Sequence, residues 1–119
     1  MAQTLAAAFK NAFSGMAAFF LKERNGKIHL AFVVSLVICG FVFGISKQEW
    51  ISILICIAMV MALEMANASI EKLCDTVHPS IHPNIKWVKD VAAAAVLWAA
   101  IISAIIGLMV FIPKLLERL

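Results

Sequence analysis

"EWISILICIAMVMALEMANASIEKLCD", from Glu49 to Asp75, decides how many times this chain crosses a membrane. Only 14 uncharged residues separate Glu49 from Glu64, short of the ~20 that span a hydrocarbon core of ~30 Å. The segment therefore crosses only as one helix from Trp50 to about Ile70, with Glu64 and Asn67 inside it. Trp50 suits the start of such a helix, because its ring is apolar and its N–H can stay wet at the interface. At 100° per residue, Glu64, Asn67, Glu71 and Asp75 fall at about 0°, 300°, 340° and 20°, a single narrow stripe. Counted from Trp50 at ~1.5 Å per residue, Glu64 sits roughly 9 Å inside the far edge of the core, with Glu71 near that edge.

The rest of the chain fits a membrane protein. Its 119 residues are 64% hydrophobic with a mean hydropathy of +1.00, which excludes an ordinary soluble domain. There are 19 uncharged residues between Lys27 and Lys47, and 23 between Asp90 and Lys114. The expected fold is all-α, with transmembrane helices at about 28–46, 50–70 and 91–112 forming a single membrane-embedded domain over residues 1–119. The first 27 residues lack the long apolar region of a cleavable signal. Instead Leu5, Phe9, Phe13, Met16 and Phe20 recur at helical spacing, predicting an amphipathic surface helix over about 4–24. Its other face is mostly alanine and weakly polar, so a disordered tail is the competing reading.

Basic residues set the orientation. Lys10, Lys22, Arg24 and Lys27 precede the first span, and Lys72, Lys86 and Lys89 flank the second loop. The positive-inside rule then places the N-terminus and that loop in the cytoplasm, against Lys114 and Arg118 at the opposite end. Small residues repeat at four: Gly40 and Gly44; Ala58, Ala62 and Ala66; and Ala95, Ala99, Ser103 and Gly107. Such rows let helices approach closely in lipid. Three spans make a thin bundle, so a homo-oligomer is expected.

The cysteines Cys39, Cys56 and Cys74 show no metal or disulfide spacing. His78 and His82 in "HPSIHP" have i, i+4 spacing, but Pro79 and Pro83 oppose a regular helix there. A wet loop is the expected reading, ahead of a transition-metal site.

The acidic stripe carries the function. A carboxylate deep in a membrane opposes insertion by about 2.5–3.5 kcal/mol on translocon scales, which makes its default reading functional. Polar glue between helices would explain Asn67, but carboxylates in one row repel unless a proton or cation lies between them. No P-loop, kinase catalytic loop or nucleophile elbow occurs. Glu23 in "KERN" and Asp90 in "KD" lie at the same cytoplasmic edge. Hard carboxylate oxygens there suit Mg²⁺ with phosphate completing its shell, and a lysine adds a point charge. Mg-ATP at the interface and a buried base facing a lipid hydroxyl would make a phosphoryl-transfer site without a soluble domain. The alternative class is a small homo-oligomeric proton-coupled cation transporter, for which one buried Glu suffices. A third class is an accessory assembly subunit that binds no nucleotide. No nucleic-acid partner is expected.

Glu64-x-x-Asn67-x-x-Ile70-Glu71, then Asp75, then Lys89-Asp90-Val91-Ala92, resembles the small bacterial membrane lipid kinases, the family of prokaryotic diacylglycerol kinase and undecaprenol kinase. "ERN" at Glu23–Asn25, His29, "EW" at Glu49–Trp50 and "PKL" at Pro113–Leu115 are similar to that family too. The resemblance implies a homotrimer of three-span subunits in the bacterial cytoplasmic membrane, with sites shared between neighbouring chains. It implies Glu64 as catalytic base and Glu23 and Glu71 as Mg²⁺ ligands. It further implies that Asn67, Lys89 and Asp90 position ATP and that Ser80, Ile81 and His82 lie against it. Asn11 stands where the family's surface helix has a Tyr and is carried over as a nucleotide contact. Ala68 follows Asn67 where the family usually has a hydroxyl residue, with Ser69 one place on. The implied acceptor is a membrane lipid alcohol, diacylglycerol or undecaprenol; "KERN", "IH" and "IHP" lean towards the undecaprenol branch.

Overall fold

The computed structural model describes residues 3–119, and every regular element in them is helical. Three of the helices are long and apolar enough to cross a membrane: Arg24–Phe43, Lys47–Val77 and Pro83–Arg118. The chain divides into two compact units, one running to Cys39 and the other from Gly40 to Leu119.

The first unit begins with α1 (Leu5–Ala17). Thr4 caps it, its hydroxyl accepting from the Ala7 N–H at 3.2 Å, so one of the orphan amides of the first turn is satisfied. Leu5, Phe9 and Phe13 are exposed along one face, as the spacing of the sequence requires. The expected helix over 4–24 is present from Leu5 to Lys22, with its last turn changed in type. A π-helical turn follows over Ala18–Lys22, closed by the Glu23 N–H reaching back to the Ala18 carbonyl. Glu23 is extended (φ −81°, ψ 138°), and its carbonyl accepts the Lys27 N–H at 3.0 Å. The next helix, α2 (Arg24–Phe43), starts there, four residues ahead of the expected 28. Gly26 is buried against the backbone of Phe19, where an added Cβ would overlap the carbonyl oxygen. The break thus needs glycine for close approach.

In the second unit, α2 ends in a Schellman motif. The Gly44 N–H bonds to Phe41 O at 3.3 Å and the Ile45 N–H to Gly40 O at 3.2 Å, with Gly44 left-handed at φ +61°. This revises the reading of Gly40 and Gly44 as one packing pair. Gly44 is the turn residue a helix C-terminus demands, while Gly40 leaves room for Trp50, whose Cη2 lies 2.5 Å from where a Cβ would stand. Ser46 and Glu49 then form a capping box, the Ser46 hydroxyl accepting from Glu49 N at 3.2 Å and Glu49 Oε1 accepting from Ser46 N at 2.8 Å.

That box opens α3 (Lys47–Val77), which a loop joins to α4 (Pro83–Arg118). Pro83 occupies the first turn, where its missing N–H costs nothing. Both helices overrun the expected spans of 50–70 and 91–112. The apolar windows report only the stretch that lipid would cover, whereas the helices continue through charged turns at both ends. Ile45, Ile53 and Val110 form the buried cluster, with Phe43, Trp50, Ile57 and Phe111 packed on it. Its end of the unit is clasped by polar contacts. Lys114 lies 3.7 Å from Glu49, and Arg118 donates to the Val42 carbonyl while its guanidinium sits 4.8 Å over the Phe43 ring. A cation is well placed on the orphan carbonyls of a helix C-terminus.

Candidate functional site

At the other end of the hairpin, α3 carries Glu64, Asn67, Glu71 and Asp75 on one unbroken helix. The first three are half-buried and Asp75 is exposed, so the stripe runs from the packed part of the unit to its edge. The Asn67 side-chain amide donates to Glu71 Oε1 at 3.4 Å, one helical turn on. This weak bond orients the amide and leaves Asn67 Oδ1 buried, with no hydrogen-bond partner among the described residues. A buried acceptor in that state costs free energy. It is a natural place for a cation or a ligand N–H.

Across from the stripe, α4 supplies the positive charge. Lys89 donates to Asp75 Oδ1 at 2.8 Å, joining α3 and α4 over a separation of 14 residues. Lys86 pairs instead with Asp90, one turn along α4. Lys89 lies ahead of the apolar stretch of its helix. The Asp75 hydrogen bond and then the Asp75 charge hold its ammonium above the ordinary lysine range, with smaller help from Glu71 and Cys74. Opposite charge nearby favours the protonated form, so Lys89 is a fixed cation beside the stripe.

The loop between the helices is ordered by its histidines. His82 caps α4, its Nδ1 accepting from the Asn84 N–H at 3.1 Å. His78 Nδ1 lies 2.9 Å from Ser80 O and 3.2 Å from Ser80 Oγ, and the two rings meet edge-on at 5.3 Å. Ser80 and Ile81 are exposed beside them.

Glu23 and Asn11 belong to the first unit. Asn11 is exposed on α1, and Glu23 is exposed at the break before α2. Within the second unit, Lys89 and Asp90 lie in the first turns of α4 and Glu71 in the last turns of α3, joined there by the Asp75–Lys89 contact, while Asn67 and then Glu64 lie further back along α3. The residue the sequence reading left without a role is Asp75. Its pairing with Lys89 is a tertiary contact whose signal exists only once the two helices are known to form a hairpin.

The donors suit the metal that the resemblance implies. Glu71 offers a carboxylate and Asn67 a buried amide oxygen without a partner among the described residues, both hard oxygens of the kind Mg²⁺ takes. No cluster of three or more His, Cys, Asp or Glu occurs among the described residues.

Comparison with known proteins points the same way. The profile of the prokaryotic diacylglycerol kinase family matches residues 10–111. An undecaprenol kinase of Bacillus subtilis is 43% identical over 93 residues, 78% of this chain and 76% of that protein. A diacylglycerol kinase of Synechocystis is 32% identical over 118 residues, 98% of this chain and 67% of that protein. The transporter reading finds no support in these matches. With the family's profile covering most of α1, nearly all of the three long helices and the whole acidic stripe, the chain is a member of the prokaryotic diacylglycerol kinase family.

Proposed function

We propose that this membrane protein is a lipid kinase that transfers the γ-phosphoryl group of Mg-ATP to the hydroxyl of a lipid alcohol at the cytoplasmic face. The observation that carries the reading is the stripe on α3, with a half-buried Glu64 at its inner end and an Asp75–Lys89 pair at its edge. Along a helix, Glu64 and Glu71 are separated by ~10 Å of rise. One carboxylate can therefore meet a lipid headgroup dipping into the bilayer while the other meets a nucleotide at the interface.

The roles follow from position and chemistry. Glu64 takes the proton of the lipid hydroxyl as its oxygen bonds to the γ-phosphorus and the bond to the ADP oxygen breaks. Glu71 would hold Mg²⁺, with the Asn67 oxygen, which has no hydrogen-bond partner among the described residues, as a further donor, and the family resemblance makes Glu23 a second carboxylate ligand. When bound, the ion neutralises charge on the phosphate oxygens. Lys89 supplies a fixed positive charge to the phosphates, Asp90 and Asn11 contact the nucleotide, and His82 fixes the loop against it. The first unit's helix lies on the membrane surface through Leu5, Phe9 and Phe13. The positive residues ahead of Ile28, Lys10, Lys22, Arg24 and Lys27, keep the N-terminus inside.

Two features support a homo-oligomer, which the family resemblance makes a homotrimer in the bacterial cytoplasmic membrane. Ala58, Ala62 and Ala66 are all exposed on α3, a row of small residues of the kind that helices pack against in lipid. Among the described residues the chain alone buries no polar or charged one, so the stripe is only partly enclosed without a neighbour.

Undecaprenol is the favoured acceptor, because the relative bearing that name shares the higher identity of the two. The test offers purified protein γ-labelled ATP, Mg²⁺ and, in parallel, undecaprenol and diacylglycerol. Label in undecaprenyl phosphate is the expected result. Preferential label in phosphatidic acid moves the protein to the other branch, and label in neither lipid overturns the reading.

A further inference from the structure

Three charged residues open α4 within one turn and a half: Lys86, Lys89 and Asp90. Their pairing is selective. Asp90 is taken by Lys86 on its own helix, whereas Lys89 reaches across the hairpin to Asp75 at 2.8 Å. Asp75 and Glu71 occupy the same face of α3, one turn apart, and Glu71 also acts electrostatically on Lys89. Lys89 therefore bonds to the outer of two carboxylates on one face of α3 and feels the charge of the inner one.

We propose that Asp75 is a positioning residue for phosphoryl transfer, holding the Lys89 ammonium against α3 so that it meets the nucleotide phosphates without closing on Glu71. The inference rests on the lipid-kinase reading above and deepens it.

The chemistry requires such an anchor. A lysine head carries three donors on a flexible four-carbon stem. With one donor on Asp75, two remain for phosphate oxygens. Without Asp75, the nearest carboxylate of α3 within its field is Glu71, the residue offered to the metal. An ammonium on Glu71 would compete directly with a cation for the same oxygens. Asp75 thus does two things: it restricts where Lys89 can point, and it keeps Glu71 open. The pair is substantially exposed, at 37% for the Lys89 side chain and 64% for Asp75, so its value lies in placement rather than in holding the hairpin together.

The experiment measures KM for Mg-ATP, kcat with undecaprenol, and direct nucleotide affinity for the wild type, Asp75→Asn, Asp75→Glu, Lys89→Met and the Asp75→Asn/Lys89→Met double variant. Helical content and oligomer size are checked for each. Asp75→Asn is expected to raise KM for Mg-ATP and weaken nucleotide binding about tenfold, with kcat within about twofold. Asp75→Glu restores most of the affinity. In the Lys89→Met background, Asp75→Asn adds nothing further, because the group it positions is gone.

An unchanged KM in Asp75→Asn, or a full additive loss in the double variant, overturns the positioning role while leaving the kinase reading intact. If the wild type binds nucleotide without phosphorylating lipid, the kinase reading fails and the affinity series alone decides for or against Asp75. A wild type that neither binds nucleotide nor phosphorylates lipid overturns both.

Discussion

Glu71 has one oxygen engaged by the Asn67 amide at 3.4 Å, and the Asn67 oxygen beside it is buried without a partner among the described residues. If these two groups hold Mg²⁺, Glu71→Gln removes the charge and keeps the shape. Mg-ATP affinity should then fall about tenfold or more, equal to about 1.4 kcal/mol, while oligomer size stays the same. Isothermal titration of the variant checks this, and normal affinity would remove Glu71 from the ligand set. The residues of the stripe were legible before the structure, because four polar side chains at helical spacing, running into an apolar segment, must share one face of a helix. The partner of Lys89 was not. Spacing within one helix cannot show that a lysine prefers a carboxylate 14 residues away to the adjoining Asp90.

Individual helices were located by their apolar cores, and their ends were not. Hydropathy placed the second and third spans at about 50–70 and 91–112, whereas the helices run Lys47–Val77 and Pro83–Arg118. The extra turns carry Asp75 on one side and Lys86, Lys89 and Asp90 on the other, so the missed part holds much of the site. The break between the first helix and the first span was expected between about 24 and 28 and lies a few residues earlier, at Glu23, where the close Gly26–Phe19 approach fixes it. Gly44 gives a measurable consequence. With φ at +61° it caps α2 in a conformation costing L-residues roughly 1–2 kcal/mol, so Gly44→Ala should lower the thermal midpoint in detergent. Gly40→Leu should do so more severely, because its side chain would displace the Trp50 ring. That change should also alter tryptophan fluorescence. If Gly44→Ala leaves the midpoint unmoved, the Schellman cap is not what ends α2.

At the scale of the whole molecule, function depends on which side of the membrane the hairpin loop faces. A kinase drawing on cytoplasmic ATP needs the loop at His78–His82 and the N-terminus inside, the orientation that the positive-inside rule gives for the basic residues. A single cysteine at Ser80, in a background lacking Cys39, Cys56 and Cys74, should resist an impermeant reagent in intact cells. One at Gln48 should react. Labelling at Ser80 would reverse the topology and cut the site off from its nucleotide. The membrane class was readable from composition alone, and the kinase reading from the stripe and the lysine–aspartate pair together. What composition could not supply was the junction of α3 and α4, which turns separate sequence motifs into one face.

The central claim is that Glu64 takes a proton from a lipid hydroxyl. It is tested most directly by following transfer of the γ-phosphoryl label from ATP to undecaprenol in the wild type and Glu64→Gln side by side. Glutamine preserves the size and hydrogen-bonding capacity of the side chain, so a packing role survives the change and a proton-accepting role does not. Proton removal by a positioned side chain is worth ~10²–10⁴-fold in rate. The expected result is a loss of that size in kcat, with Mg-ATP affinity and oligomer size unchanged; a Gln variant that keeps most of the wild-type turnover would contradict it.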